Sequence, residues 1–223
     1  MVHSLPVLLT LILTSALPVV FLFLWYSFAR CPISTGWFLL FLVGGGASMF
    51  AALVLQALVS LVSGAGAWGG LGGLLFSTFC RIAAMEELSR LLVFLPLFPL
   101  AGIKGENAML RGSAAGLVAG LGFALVEGAA YGASDAGVAL LRTVTSAPLH
   151  GACGERVGAA LAGWKRGFFP FLMRFLSAVA IHGTYNLMIR NSGVMAVMAI
   201  LAALCALGSS LLTIRTGLKG EEL

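Results

Sequence analysis

The chain has 223 residues, 60% of them hydrophobic and 9% charged, with a formal net charge of +5 and a mean hydropathy of +1.06. A soluble domain carries about a quarter charged residues, so the composition excludes an ordinary soluble enzyme and specifies an integral membrane protein. Its cations gather at the ends of apolar runs and form no continuous basic face, which suits anionic lipid headgroups and excludes a nucleic-acid partner.

Apolar runs of membrane-crossing length predict about seven spans, near 5–29, 37–62, 71–99, 108–131, 137–162, 168–190 and 193–214. Only short connections separate them, so 1–223 reads as a single transmembrane domain, an all-α polytopic helical bundle. The first run holds Pro18 at its middle and ends in a Trp25-Tyr26 aromatic belt before Arg30. It begins without the basic leader of a signal peptide and is too long for one, so it is expected to remain as a helix. The second run contains nothing more polar than Gln56, and a glycine-rich connection around Trp68 follows.

The third run carries Arg81, Glu86, Glu87 and Arg90. In the fourth and fifth, Gly112, Gly116 and Gly120 and then Gly154 and Gly158 are spaced for close helix crossing. The fifth is the least apolar, with Arg142, His150, Glu155 and Arg156 and with Pro148 just before the histidine, so it belongs inside the bundle. Arg142, Glu155, Arg156 and Arg174 read as bundle-internal or interfacial pairs. Cys31, Cys80, Cys153 and Cys205 form no CxxC pair and read as small apolar fillers.

Cations follow the first span (Arg30), flank the third connection (Lys104, Arg111) and the fifth (Lys165, Arg166), and mark the tail (Arg215, Lys219). The opposite side shows His3, Asp135 and Arg190. The positive-inside rule then predicts an outside N-terminus and a cytoplasmic C-terminus, the parity an odd number of spans requires.

Ionisable groups at membrane depth are costly, so each is a functional candidate. At 1.5 Å rise per residue, His182 lies about 12 Å below Arg190 and Glu127 about 12 Å below Asp135. From the other side, Glu86 is about 20 Å above Pro99 and His150 about 22 Å above Lys165. Four helices thus bring Glu86, Glu127, His150 and His182 to one level, in the outer half of the membrane. Within single helices, Glu86 and Arg90, then Phe123, Glu127 and Tyr131, then His182 and Asn186, share a face at i, i+4 spacing. Glu86 and Glu87 point about 100° apart, so one faces the centre while the other holds a neighbour; Glu86 is the preferred base.

Glu, His and Asn without a Ser, Cys or Lys nucleophile point to activation of water. A carboxylate takes a proton from water attacking a carbonyl and returns it to the leaving amine. His182 and Asn186 can donate to the oxyanion. That chemistry is peptide hydrolysis inside the membrane.

On these residues the chain resembles the PrsW-type glutamic intramembrane proteases, a branch of the CAAX-protease and bacteriocin-processing superfamily. Glu86-Glu87-Leu88-Ser89-Arg90 is similar to its Glu-pair motif, with Arg90 where members usually show Lys. Phe123, Glu127 and Tyr131 complete an FxxxExxxY motif, His150 and Gly158 a third, and His182 and Asn186 an HxxxN motif, all in family order. The resemblance implies a Glu-activated water, a His-Asn oxyanion site, no metal or other cofactor, and a catalytic core over about 71–190. It further implies a membrane-anchored protein substrate in a prokaryotic cell membrane, such as an anti-sigma factor cleaved on its extracytoplasmic side. Arg90 and Tyr131 enter as supporting residues. Three readings compete: a zinc hydrolase, although HExxH is absent; a proton-coupled transporter, although no inverted repeat is evident; and a non-catalytic scaffold, of which the superfamily offers an example in gamma-secretase.

Overall fold

The computed structural model describes residues 5–29, 31, 33–64, 69–132, 136–191 and 193–220. His3, Arg30, Trp68 and Asp135, which enter the orientation and linker readings above, lie outside the described residues. The described residues are helical apart from the turns and loops between helices, with no strand among them. The helices are α1 (Leu5–Phe28), α2 (Thr35–Ser63), α3 (Gly70–Leu75), α4 (Ala84–Leu100), α5 (Ala108–Gly132), α6 (Ala136–Ala162), α7 (Phe168–Ile189) and α8 (Val194–Gly220). Among the described residues three stretches, Thr35–Ser63, Ala108–Tyr131 and Val194–Lys219, are long and apolar enough to cross a membrane by length and composition.

Two elements depart from the predicted ones. The third run is not one α-helix, because Phe76–Ala83 is π-helical between α3 and α4. A π segment commonly accompanies a functional site, and here it seats the Phe79 ring against the backbone of Gly183, leaving no room for a Cβ there. The last helix extends well past 214, to Gly220, and beyond the apolar run Thr216 Oγ1 donates to the Thr213 carbonyl at 3.0 Å.

Helix α5 is the centre of the bundle. Ala114, Ala115, Leu117, Val118 and Ala119 are fully buried, because small residues let its neighbours approach to backbone contact. Against α6, Cβ atoms at Gly112, Gly116 and Gly120 would strike the carbonyls of Gly158, Gly154 and His150. Against α2, a Cβ at Gly45 would strike the Ala119 carbonyl. The spaced glycines therefore pack as their sequence pattern predicts.

Helix α1 docks on α5 through Tyr26, whose hydroxyl donates to the Ala114 carbonyl at 2.8 Å. Tyr26 is buried, which corrects the aromatic-belt reading for that residue: its hydroxyl finds a carbonyl partner inside the bundle instead of the interface. Phe41, Phe94 and Phe98 join α2 to α4, with ring centroids 5.2 to 6.2 Å apart. Glu155 accepts from Ser113 at 2.9 Å and from Ser210 at 3.2 Å, tying α6 to α5 and α8. Arg156 donates to Ser210 at 3.0 Å and Ser209 at 2.9 Å, a bundle-internal arrangement as expected. Large apolar side chains such as Phe28, Leu61 and Val62 face outward, as hydrocarbon requires.

Candidate active site

The first turn of α4 begins where the π segment ends, and it carries Glu86 and Glu87 into the interior, both buried. Their adjacent positions give different surroundings. Glu87 is surrounded by cationic and N–H donors: Arg90 Nη1 donates to its Oε2, and Nδ1 of His182 on α7 lies 2.7 Å from its Oε1. Both oxygens are committed. Glu86 Oε1 accepts from Gln56 Nε2 on α2 at 3.2 Å, while its Oε2 is buried with no hydrogen-bond partner among the described residues. That oxygen lies 3.5 Å from His182 Nε2.

Helices α5 and α6 supply a second layer. Arg90 Nη2 lies 2.6 Å from His150 Nδ1, and His150 Nε2 lies 2.8 Å from Glu127 Oε2. A guanidinium only donates and a carboxylate only accepts, so this His150 is the tautomer with its proton on Nε2. Both of its nitrogens are occupied. Glu127 Oε2 also accepts from Ser146 at 3.1 Å and pairs with Arg142. The Arg142 guanidinium sits 4.1 Å from the centroid of the half-exposed Tyr131 ring. Phe123 backs the assembly, its ring 4.4 Å from the Arg90 guanidinium and 4.8 Å from the His150 ring. The two histidine rings are 5.0 Å apart, edge to face.

Of the residues singled out in the sequence, Glu86, Glu87, Arg90, Glu127, His150 and His182 come together. Tyr131 joins at the rim through Arg142. Asn186 stands one turn beyond His182 on α7, half-buried, and among the described residues no hydrogen bond ties it to the acids and imidazoles. Gln56 and Arg142 are site residues to which sequence reasoning gave no role. Gln56 is the most polar side chain of its run, which is the one signal available for it; Arg142 was visible as a charge at membrane depth without its partner.

Apolar helices enclosing a buried centre of three carboxylates, two imidazoles and an arginine define an integral membrane protein with a cluster of acidic and basic groups in its interior. The chain belongs to the PrsW family of intramembrane metalloproteases, whose family model matches residues 34–209. The match includes every site residue named above. The family acts as intramembrane hydrolases, which implies a protein substrate in a membrane context. No curated protein and no solved structure matches the chain.

The family description implies a metal, and two sets of donor atoms lie within 4.8 Å of one another: Glu86, His150 and His182, and Glu87, Cys153 and His182. A metal centre needs a free lone pair from each ligand. In the first set Glu86 Oε2 and His182 Nε2 qualify, but the one lone pair of His150 is taken by Arg90, whose own positive charge opposes a second cation there. In the second set both Glu87 oxygens are committed, His182 Nδ1 is bonded to one of them, and the Cys153 thiol donates to the Ala178 carbonyl at 3.5 Å. Neither set fits a metal as arranged.

Proposed function

We propose that this protein is a glutamate-dependent intramembrane endopeptidase in which Glu86 is the general base. One observation carries the reading: Glu86 Oε2 is buried, has no hydrogen-bond partner among the described residues and lies 3.5 Å from His182 Nε2, whereas both oxygens of its neighbour Glu87 are committed. A water bonded to Glu86 Oε2 and His182 loses a proton to the carboxylate as its oxygen attacks the scissile carbonyl carbon. The oxyanion accepts from His182 Nε2–H, which requires His182 to be the doubly protonated imidazolium in this step because its Nδ1–H is already given to Glu87, with Asn186 on the same face of α7 as a second donor. Glu86 then passes its proton to the amide nitrogen, and the C–N bond breaks. Glu87 holds His182 by Nδ1, while Arg90, His150 and Glu127 position Glu87 from behind.

In this reading the whole chain is one membrane domain of seven crossings, with its catalytic core over about 71–190, an outside N-terminus and a cytoplasmic C-terminus. The cations at alternate connections support it. The substrate is a membrane-anchored protein cut toward the extracytoplasmic side of a prokaryotic cell membrane, an anti-sigma factor being the type that the family resemblance suggests.

The test is a quantitative survey of new protein termini in membranes of cells carrying the native chain or Glu86→Gln at matched expression. Membrane-proximal termini that vanish in the variant are expected, and they name the substrates. Identical termini in both strains under several stresses would overturn the reading and leave a scaffold or a proton-coupled transporter.

A further inference from the structure

Away from the acid–histidine centre, a cavity of about 1060 Å³ opens at the end of the bundle where α4 and α6 finish and α7 begins. Its walls are apolar, with Leu91 and Leu95 from α4 facing Phe168 and Phe171 from α7. Its mouth is basic. Lys104, Lys165 and Arg166 line it against the carboxylate of Glu106, and all four are exposed.

The mouth is held in shape by identifiable bonds. Arg111 donates to the Ala101 carbonyl at 2.9 Å and the Gly102 carbonyl at 2.8 Å, closing the carboxyl end of α4 and fixing the loop that carries Lys104. On the other side, Trp164, Lys165 and Arg166 form one 3-10 turn, followed by Gly167 at φ 119°, a conformation side-chain-bearing residues rarely adopt. That glycine reverses the chain so that the two cations and the start of α7 border the same opening.

We infer that this cavity binds an anionic phospholipid, its phosphate at Lys104, Lys165 and Arg166 and an acyl chain along Leu95, Phe168 and Phe171. Charge complementarity selects the occupant. Three cations against one carboxylate favour an anion at the mouth, and the apolar wall below requires that the anion carry hydrocarbon. Basic pockets between membrane helices recognise anionic headgroups by this combination. A zwitterionic lipid matches the wall but gains less at the mouth. The assignment is independent of the proteolytic reading, since none of these side chains belongs to the acid–histidine network.

Trp164 lines the cavity and is exposed, so it reports its occupant directly. The full chain is reconstituted in phosphatidylcholine vesicles containing a fixed fraction of lipid brominated on its acyl chains, either phosphatidylglycerol or phosphatidylcholine. The signal is the difference in tryptophan quenching between the native chain and Trp164→Phe. Quenching of Trp164 at least about fivefold more effective with brominated phosphatidylglycerol is expected, equivalent to the contribution of one cation near the surface. The preference should fall to about one in the Lys104→Gln, Lys165→Gln, Arg166→Gln variant. If that variant does not fold, the pair Lys165→Gln, Arg166→Gln on the exposed turn is compared, with a preference at most half the native one expected. Equal quenching by the two lipids, a preference unchanged by removing the cations, or no quenching by either because a protein segment covers the cavity would each overturn the proposal.

Discussion

Glu87 Oε1 and His182 Nδ1 are 2.7 Å apart although 95 positions separate them in the chain. The bond fixes the α7 imidazole to α4, and with the Arg90 contact on Oε2 it gives Glu87 the work of a holder. Two neighbouring glutamates should therefore fail in different ways. Glu87→Gln leaves Arg90 buried without its carboxylate, a loss of about 3–5 kcal/mol for a broken buried pair. Glu86→Gln removes no ion pair to arginine and should unfold within a few degrees of the native chain while losing turnover. Thermal unfolding of both variants in one detergent decides this; equal melting temperatures would contradict the division of roles.

Gln56 reaches Glu86 from α2 across 3.2 Å. Removing a hydrogen bond to a carboxylate costs about 1.5–3 kcal/mol, so Gln56→Leu should lower kcat/KM by roughly tenfold or more and the melting temperature by several degrees. Gln56→Glu should be worse, because it sets a further carboxylate beside Glu86, the proposed base. The check is the kinetics of cleavage of a reconstituted substrate. A Gln56→Leu enzyme as fast as the native one would show that Glu86 is oriented without α2.

The commitment of His150 to Arg90 and Glu127 predicts indifference to chelators. Purified chain dialysed against a strong chelator should retain cleavage within about twofold, and bound transition metal should be far below one ion per chain. Loss of activity on chelation, restored by adding zinc, would mean that His150 exchanges the Arg90 contact for a metal and that the site rearranges in the working enzyme.

The helices were legible because a membrane span needs about twenty apolar residues, a signal long enough to survive Pro18 and Pro148. The central acids and histidines were legible for the opposite reason: a charge is conspicuous in such a run. What stayed hidden was pairing. That Arg142 serves Glu127, or that Gln56 serves Glu86, depends on which faces meet between helices, and neither partner lies within one turn of the other. The π segment left no periodic trace, since eight residues with Arg81 at their end read equally well as α-helix. That one glutamate of the pair holds a neighbour was readable from the rotation of about 100° between them; that Glu87 holds His182, 95 positions on, was not.

The α5–α6 crossing makes a prediction about a residue with no chemistry of its own. Gly120 lies against the His150 backbone, and a Cβ there would come 2.6 Å from the His150 carbonyl carbon and 2.9 Å from the Gly151 Cα, distances that real Cβ atoms do not occupy. Backbone cannot rotate away as a side-chain tip can, so Gly120→Ala must push α6 off α5. That displacement acts on the bond between His150 and Glu127, which spans the same two helices. Overpacking of this kind costs about 1–3 kcal/mol, and cleavage should fall along with stability. Gly208 is the matched control: nothing lies within 4 Å of its Cβ position, so Gly208→Ala in α8 should be neutral or stabilising by up to about 1 kcal/mol through helix propensity. Unfolding curves and cleavage rates of the two variants together test whether the glycine stripe positions the histidine. A Gly120→Ala chain as stable and active as Gly208→Ala would refute that account.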